Sequence, residues 1–189
     1  MSRKNTAGSS VTDLIGVKPV SFLNGGAVPT WSFPELSGTQ AFKAGEMVCL
    51  SGAVGSAIGL TKPGTDASGF GIVGFAADNA SGTTSGKKSV WIASPDVVWQ
   101  GNVGHSTSAS AQTAATDLGQ RFGLTSLSGR TYVDKARTAV STVMCRVIGL
   151  CNQDDVPTFY GKVYFTLMDR VCQLRQDKVY ASSPLDMAL

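Results

Sequence analysis

The chain has 189 residues, enough for one sizeable core, since a domain of this size buries roughly two-thirds of the surface its unfolded form exposes. Charged residues make up only 15% and the net charge is +3, so Lys and Arg do not form the dense clusters that a phosphate backbone demands. No stretch approaches the ~18 consecutive apolar residues of a membrane-spanning helix, so neither nucleic acid nor a membrane is expected as a partner.

Segment 1–39 is punctuated by Gly8, Gly16, Pro19, Gly25, Gly26, Pro29, Pro34 and Gly38, which interrupt every window that might carry a helix. Its start lacks the apolar run and cleavage pattern of a secretory signal, and synthesis and retention in a cytosol are expected. The segment nevertheless holds Leu14, Ile15, Val17, Val20, Phe22, Leu23, Trp31, Phe33 and Leu36, more apolar matter than a solvated tail carries. Two readings stay open: an extended arm that wraps its own core, or one that lies on another subunit.

From Phe42 the pattern changes to short runs of β-branched and aromatic residues between turn signals. Strands are predicted at 46–51 and 56–60, paired as a hairpin, then at 71–77, 88–94 and 97–102, the last two hinged at Pro95-Asp96. Further strands are predicted at 119–125, 131–134, 142–150 and 158–167. Between them, 108–118 (SASAQTAATDL) is either one short helix or a loop of small residues. Segment 169–189 reads as a second arm with one more strand at 171–174. The fold class expected is all-β, a small β-barrel or sandwich of short strands spanning 40–168, flanked by extended N-terminal and C-terminal arms at 1–39 and 169–189. A short echo between 72–76 (IVGFA) and 147–151 (VIGLC) is compatible with related strands in a pseudo-symmetric barrel.

Two near-motifs invite a nucleotide reading. Gly69-Phe70-Gly71-Ile72-Val73-Gly74 satisfies G-x-G-x-x-G, but a dinucleotide site needs a strand before the motif and a helix after it. Here a loop precedes it, and the turn residues Asp78-Asn79-Ala80-Ser81-Gly82 follow. Gly82 to Lys87 approaches a Walker loop, but only three residues separate Gly82 from Gly86, and Lys88 stands where a magnesium-binding hydroxyl belongs. Both are read as a strand, a loop and the start of another strand, and no cofactor is expected.

Other constellations are equally sparse. Cys49, Cys145, Cys151 and Cys172 include no C-x-x-C pair, and with His105 as the single histidine a zinc site is not expected; the cysteines read as small buried hydrophobes. His105 lies beside Ser106, but neighbours in an extended segment point apart and no nucleophile elbow is present. Asp154-Asp155 lacks the alternating oxygen ligands of a calcium loop and reads as a turn. Trp91 and Trp99 read as core or interface anchors on neighbouring strands. No catalytic or metal residues are assigned, and the chain is not expected to be an enzyme.

The phrases 42–48 (FKAGEMV), 71–78 (GIVGFAAD), 90–93 (VWIA) leading into 97–102 (VVWQGN), and 143–149 (VMCRVIG) together resemble the small β-barrel head decoration, or cement, proteins of tailed phages. The resemblance covers about two-thirds of the chain. It implies a homo-oligomer, a trimer or in some cases a dimer, seated where major capsid protein subunits meet and carried on the capsid surface of the virion after assembly in the host cytoplasm. In that setting Leu14, Ile15, Val17, Phe22, Trp31 and Phe33 are the candidate anchors, and deleting Met1 to Gly38 is expected to leave a folded core that no longer binds shells. The other readings are a phage tail or baseplate component, and a carbohydrate-binding β-barrel module that uses Trp91 or Trp99 as a sugar platform.

Overall fold

The structure is a computed structural model that describes residues 15–36, 40–51, 58–63, 71–82, 86–151 and 157–175. It is all-β: a closed five-stranded barrel joined to a second five-stranded sheet. In chain order the strands are β1 (Lys18–Phe22), β2 (Thr30–Pro34), β3 (Met47–Ser51), β4 (Gly59–Thr61), β5 (Gly74–Ala76), β6 (Lys87–Ile92), β7 (Val97–Gly104), β8 (Arg121–Leu127), β9 (Arg130–Asp134), β10 (Cys145–Leu150) and β11 (Lys162–Leu167).

The barrel runs β7-β11-β10-β8-β9 and closes through a parallel pairing of β9 with β7, Val103 opposite Val133 and Gly104 opposite Asp134. Its strands show the period of two that a half-buried sheet imposes: in β11, Val163, Phe165 and Leu167 point inward, and in β10 Cys145 and Val147 do so while Arg146 and Ile148 face out. β1 pairs with Val97–Gln100, covering the first half of the flank of β7 that β9 closes in its second half. The second sheet runs β2-β6-β5-β3-β4, and a bridge between Glu35 and Leu60 brings its two ends together.

One core serves both sheets. Trp99, Phe165, Val163, Val147, Leu124 and Val133 fill the barrel, while Met47, Ile72 and Phe75 enter the same cluster from the second sheet. The rings of Phe75 and Trp99 lie 4.7 Å apart at a tilted 55°, a favourable aromatic arrangement, and each fully buried ring contributes about 1.5–3 kcal/mol through burial. A smaller cluster of Phe42, Val48, Leu60, Val73 and Val90 fills the roll of the second sheet.

The 1–39 segment contributes strands to both sheets. β1 runs antiparallel to β7 and β2 antiparallel to β6, so the N-terminal ribbon follows the β6–β7 path and bends where it bends. At that bend Leu23 donates its amide to the Asp96 carbonyl at 2.7 Å, and Ile92 donates to Pro29 at 2.9 Å. Deleting Met1 to Gly38 therefore removes two paired strands, one from the edge of each sheet.

The remaining differences from the sequence reading have tertiary causes. β5 is only three residues long because Gly71 turns with a φ of 70° and Ile72 bridges Cys172 instead of extending the sheet. Segment 108–118 forms two 3-10 turns, Ser108–Ser110 and Ala115–Asp117. The chain between them is held by an isolated bridge from Gln112 to Phe159 and by bonds between Thr113 and Thr158. No strand forms at 171–174, where two 3-10 turns, Asp169–Val171 and Gln173–Arg175, take its place. The Gln173 amide accepts the Leu50 N–H at 2.9 Å and donates to the Leu50 carbonyl at 3.0 Å, standing in for a strand beside β3. The two echoing segments sit in different sheets, β5 in the second sheet and β10 in the barrel. Asp154, Asp155 and segment 176–189 lie outside the described residues.

Candidate functional site

The N-terminal ribbon carries most of the candidate anchors, and the structure divides them. Leu14 lies outside the described residues. Val17 is buried in the shared core and donates its amide to the Gly45 carbonyl at 3.1 Å, so its side chain fills its own domain. Phe22, at the end of β1, packs half-buried on the same cluster, and Phe33 packs on the smaller one. Ile15 is 37% exposed, and its amide donates to Asn102 Oδ1 at 2.9 Å. Trp31, two residues before Phe33 on the same face of β2, is 67% exposed.

Val17, Phe22 and Phe33 thus hold the ribbon down, and Trp31 is the large side chain it presents. Asn102 adds a buried polar tie: it accepts from Ile15 and donates through Nδ2 to the Tyr160 carbonyl at 2.6 Å, where β1 gives way to β9 along β7. Both β1 and β2 are terminal strands in their sheets among the described residues, and β2 is drawn toward β4 at its end by the Glu35–Leu60 bridge. The edges carry familiar protection: Lys18, Pro19, Pro34 and an irregularity at Val20.

Sequence reasoning did not single out Val20 and Leu23 as exposed, yet they are 47% and 60% so. Val20 falls where the β1–β7 register shifts between Pro19 and Ser21. Such a bulge inserts one extra residue and re-aims its side chain, which no composition signal announces. Ile148 occupies the equivalent irregularity in β10, between Val147 and Gly149, and is also exposed.

The glycine-rich loop that resembles a phosphate cradle already holds an anion, one supplied by the chain itself. Glu35, just past β2 and 3% exposed, accepts the Ser81 amide at 2.7 Å, the Gly82 amide at 3.1 Å and the Ser81 hydroxyl, with Lys88 Nζ at 4.0 Å. Burial pushes its carboxyl pKa up, but the Ser81 hydroxyl, the two amides and Lys88 outweigh that and hold it below the ordinary value. Gly74, the last glycine of the G-x-G-x-x-G pattern, serves packing: a Cβ there falls 1.9 Å from the Trp91 carbonyl oxygen of the neighbouring strand. No helix follows the motif among the described residues.

His105 accepts the Thr107 amide at Nδ1, 2.9 Å away, an arrangement that shapes a loop. Trp99 is fully buried, so it cannot serve as a sugar platform, and Trp91 is half-buried on β6. Cys49, Cys145 and Cys172 are buried, with burial pushing their thiols up to about 11, 12 and 12; Cys151 is half-buried. Among the described residues no group of three or more His, Cys, Asp and Glu side chains gathers for a metal, and no helix is long and apolar enough to cross a membrane. The arrangement leaves one aromatic side chain, Trp31, largely exposed on a paired strand.

Comparison with known proteins finds no matching family model, no matching curated protein and no matching solved structure.

Proposed function

We propose that this chain is a structural virion protein that binds the capsid lattice of a tailed phage and stabilises it, acting as a homo-oligomer, with a trimer favoured, on the major capsid protein. The observation that carries the reading is Trp31, two-thirds exposed on the terminal strand β2 while Phe33 anchors that strand in its own core. Exposed tryptophans on rigid elements are the side chains that dominate interface energy. A strand at the end of a sheet also accepts an extended segment from a partner by strand addition, here along β1 or the part of β2 before the Glu35–Leu60 bridge. The resemblance to head decoration proteins supplies the identity of that partner.

Co-sedimentation of the purified protein with undecorated shells of the parent particle tests the proposal. The protein is expected to pellet with shells at saturable stoichiometry, and Trp31→Ala to weaken binding by ~10-fold or more while remaining folded. Failure of the wild-type chain to associate with shells, or its location on tails in images of the particle, overturns the reading.

A further inference from the structure

The seam between the two sheets holds a cavity of about 260 Å³ lined by Lys43, Ala44, Asn79, Ser128, Gly129 and Arg130. It is several times larger than the ~30 Å³ share of one water in the liquid. One wall is the β8–β9 hairpin turn, where Ser128 and Gly129 both take positive φ, 52° and 78°, as a two-residue turn that follows the twist of its strands requires. The other wall is the turn before β3. The walls are tied together nearby, because the Met47 amide of β3 donates to the Thr131 hydroxyl of β9 at 2.9 Å. The Lys43 stem also lies against the hairpin, its Cγ 2.9 Å from the position a Cβ would take on Gly129.

The polar side chains of this cavity include the cationic donors Lys43 and Arg130 beside Asn79 and Ser128, which can donate as well as accept. Asn79 accepts the Ala44 amide through Oδ1 at 2.9 Å, which sets its amide orientation and leaves Nδ2 as an unengaged donor among the described residues. Lys43 and Arg130 make no ion pair among the described residues and face the same cavity. The carboxylates closest in sequence are engaged elsewhere: Glu46 binds the Lys43 amide and Lys62, and Asp78 binds the Ser89 amide.

From this we infer that the cavity is a carboxylate-binding site that receives an acidic side chain of a peptide segment, held by Arg130 and Lys43 with Asn79 and Ser128 alongside. A carboxylate is favoured over phosphate because phosphate sites on loops draw on free backbone amides. Here the amides of Lys43, Ala44 and Gly45 are already bonded to Glu46, Asn79 and the Ala76 carbonyl. The side-chain donors are a planar guanidinium fork, which matches a planar carboxylate with two parallel bonds, plus a point charge. The inference stands independently of the capsid reading.

Amide NMR of the full chain, titrated with an end-blocked triglutamate peptide, its triglutamine counterpart and inorganic phosphate at matched ionic strength, tests it. Triglutamate is expected to shift the amides of Ala44, Gly129 and Arg130 saturably and to bind more weakly as salt rises. Arg130→Gln and Lys43→Gln are each expected to weaken it by about 10-fold while leaving distant amides in place. The site is overturned if triglutamate gives no saturable shift, if triglutamine binds equally, if phosphate saturates the cavity and the peptide does not, or if both folded variants bind like the wild type.

Discussion

The carboxylate of Glu35 accepts the backbone amide of Ser81 at 2.7 Å, tying the end of β2 to the loop that enters β6. Glu35→Gln keeps the volume but places an NH2 group among donors, and is expected to cost roughly 1.5–3 kcal/mol, the worth of hydrogen bonds to a charged group. Urea denaturation at neutral pH measures this as a lower midpoint with an unchanged slope.

The same group predicts an acid limb. Its folded pKa is held below the ordinary value of 4.5, so the stability it contributes is fully present above that value and is lost as pH falls through the folded pKa. Stability measured from pH 6 down to pH 3 should decline more shallowly in Glu35→Gln than in the wild type. Parallel declines would mean that other carboxylates carry the acid sensitivity.

Gly74→Ala is expected to be the more damaging of two glycine substitutions. Its new methyl meets the Trp91 carbonyl at 1.9 Å, and backbone in a paired strand cannot retreat, so a loss of about 3 kcal/mol or more follows. Gly119→Ala meets nothing within 4 Å and carries only the strain of a φ of 80°, about 1 kcal/mol. Thermal melts of the two variants compare them directly.

Trp31→Ala separates surface from core. Because the Trp31 side chain is mostly in solvent, its loss should alter stability by about 0.5 kcal/mol or less, while Trp99→Ala, at the centre of the core, should cost about 3–5 kcal/mol. Fluorescence provides a second readout: removing Trp31 should shift the mean emission to shorter wavelength, since the more buried Trp91 and Trp99 remain.

Thiol labelling should discriminate among the cysteines. With Cys49, Cys145 and Cys172 buried and their thiols pushed up to about 11, 12 and 12, a maleimide at pH 7.5 is expected to modify Cys151 first in the native protein. Peptide mass mapping after brief exposure identifies the labelled residue, and all four should react after denaturation.

Much of the barrel was legible in the chain because strand signals are local. Alternation in 162–167 and the β-branched and aromatic run at 97–104 carry their own period, and hairpin pairing of β3 with β4 follows from short separation. The strand-loop-strand path of the glycine-rich stretch was legible too, since β5 and β6 flank the turn residues at 78–82. The division of the six anchors was not. Val17 and Trp31 are both apolar residues in an irregular segment, and nothing local says that one is enclosed in the shared core and the other left exposed.

By itself, then, the sequence determined the all-β class and the approximate strand positions, both consequences of side-chain period and turn residues within a few positions. Tertiary structure alone decided that the N-terminal ribbon supplies β1 and β2, that Glu35 fills the loop at Ser81 and Gly82, and that Lys43 meets the turn at Gly129. Each of these joins residues far apart in the chain. Their meeting depends on how two rolled sheets close against one core, a condition set by packing that no local window contains.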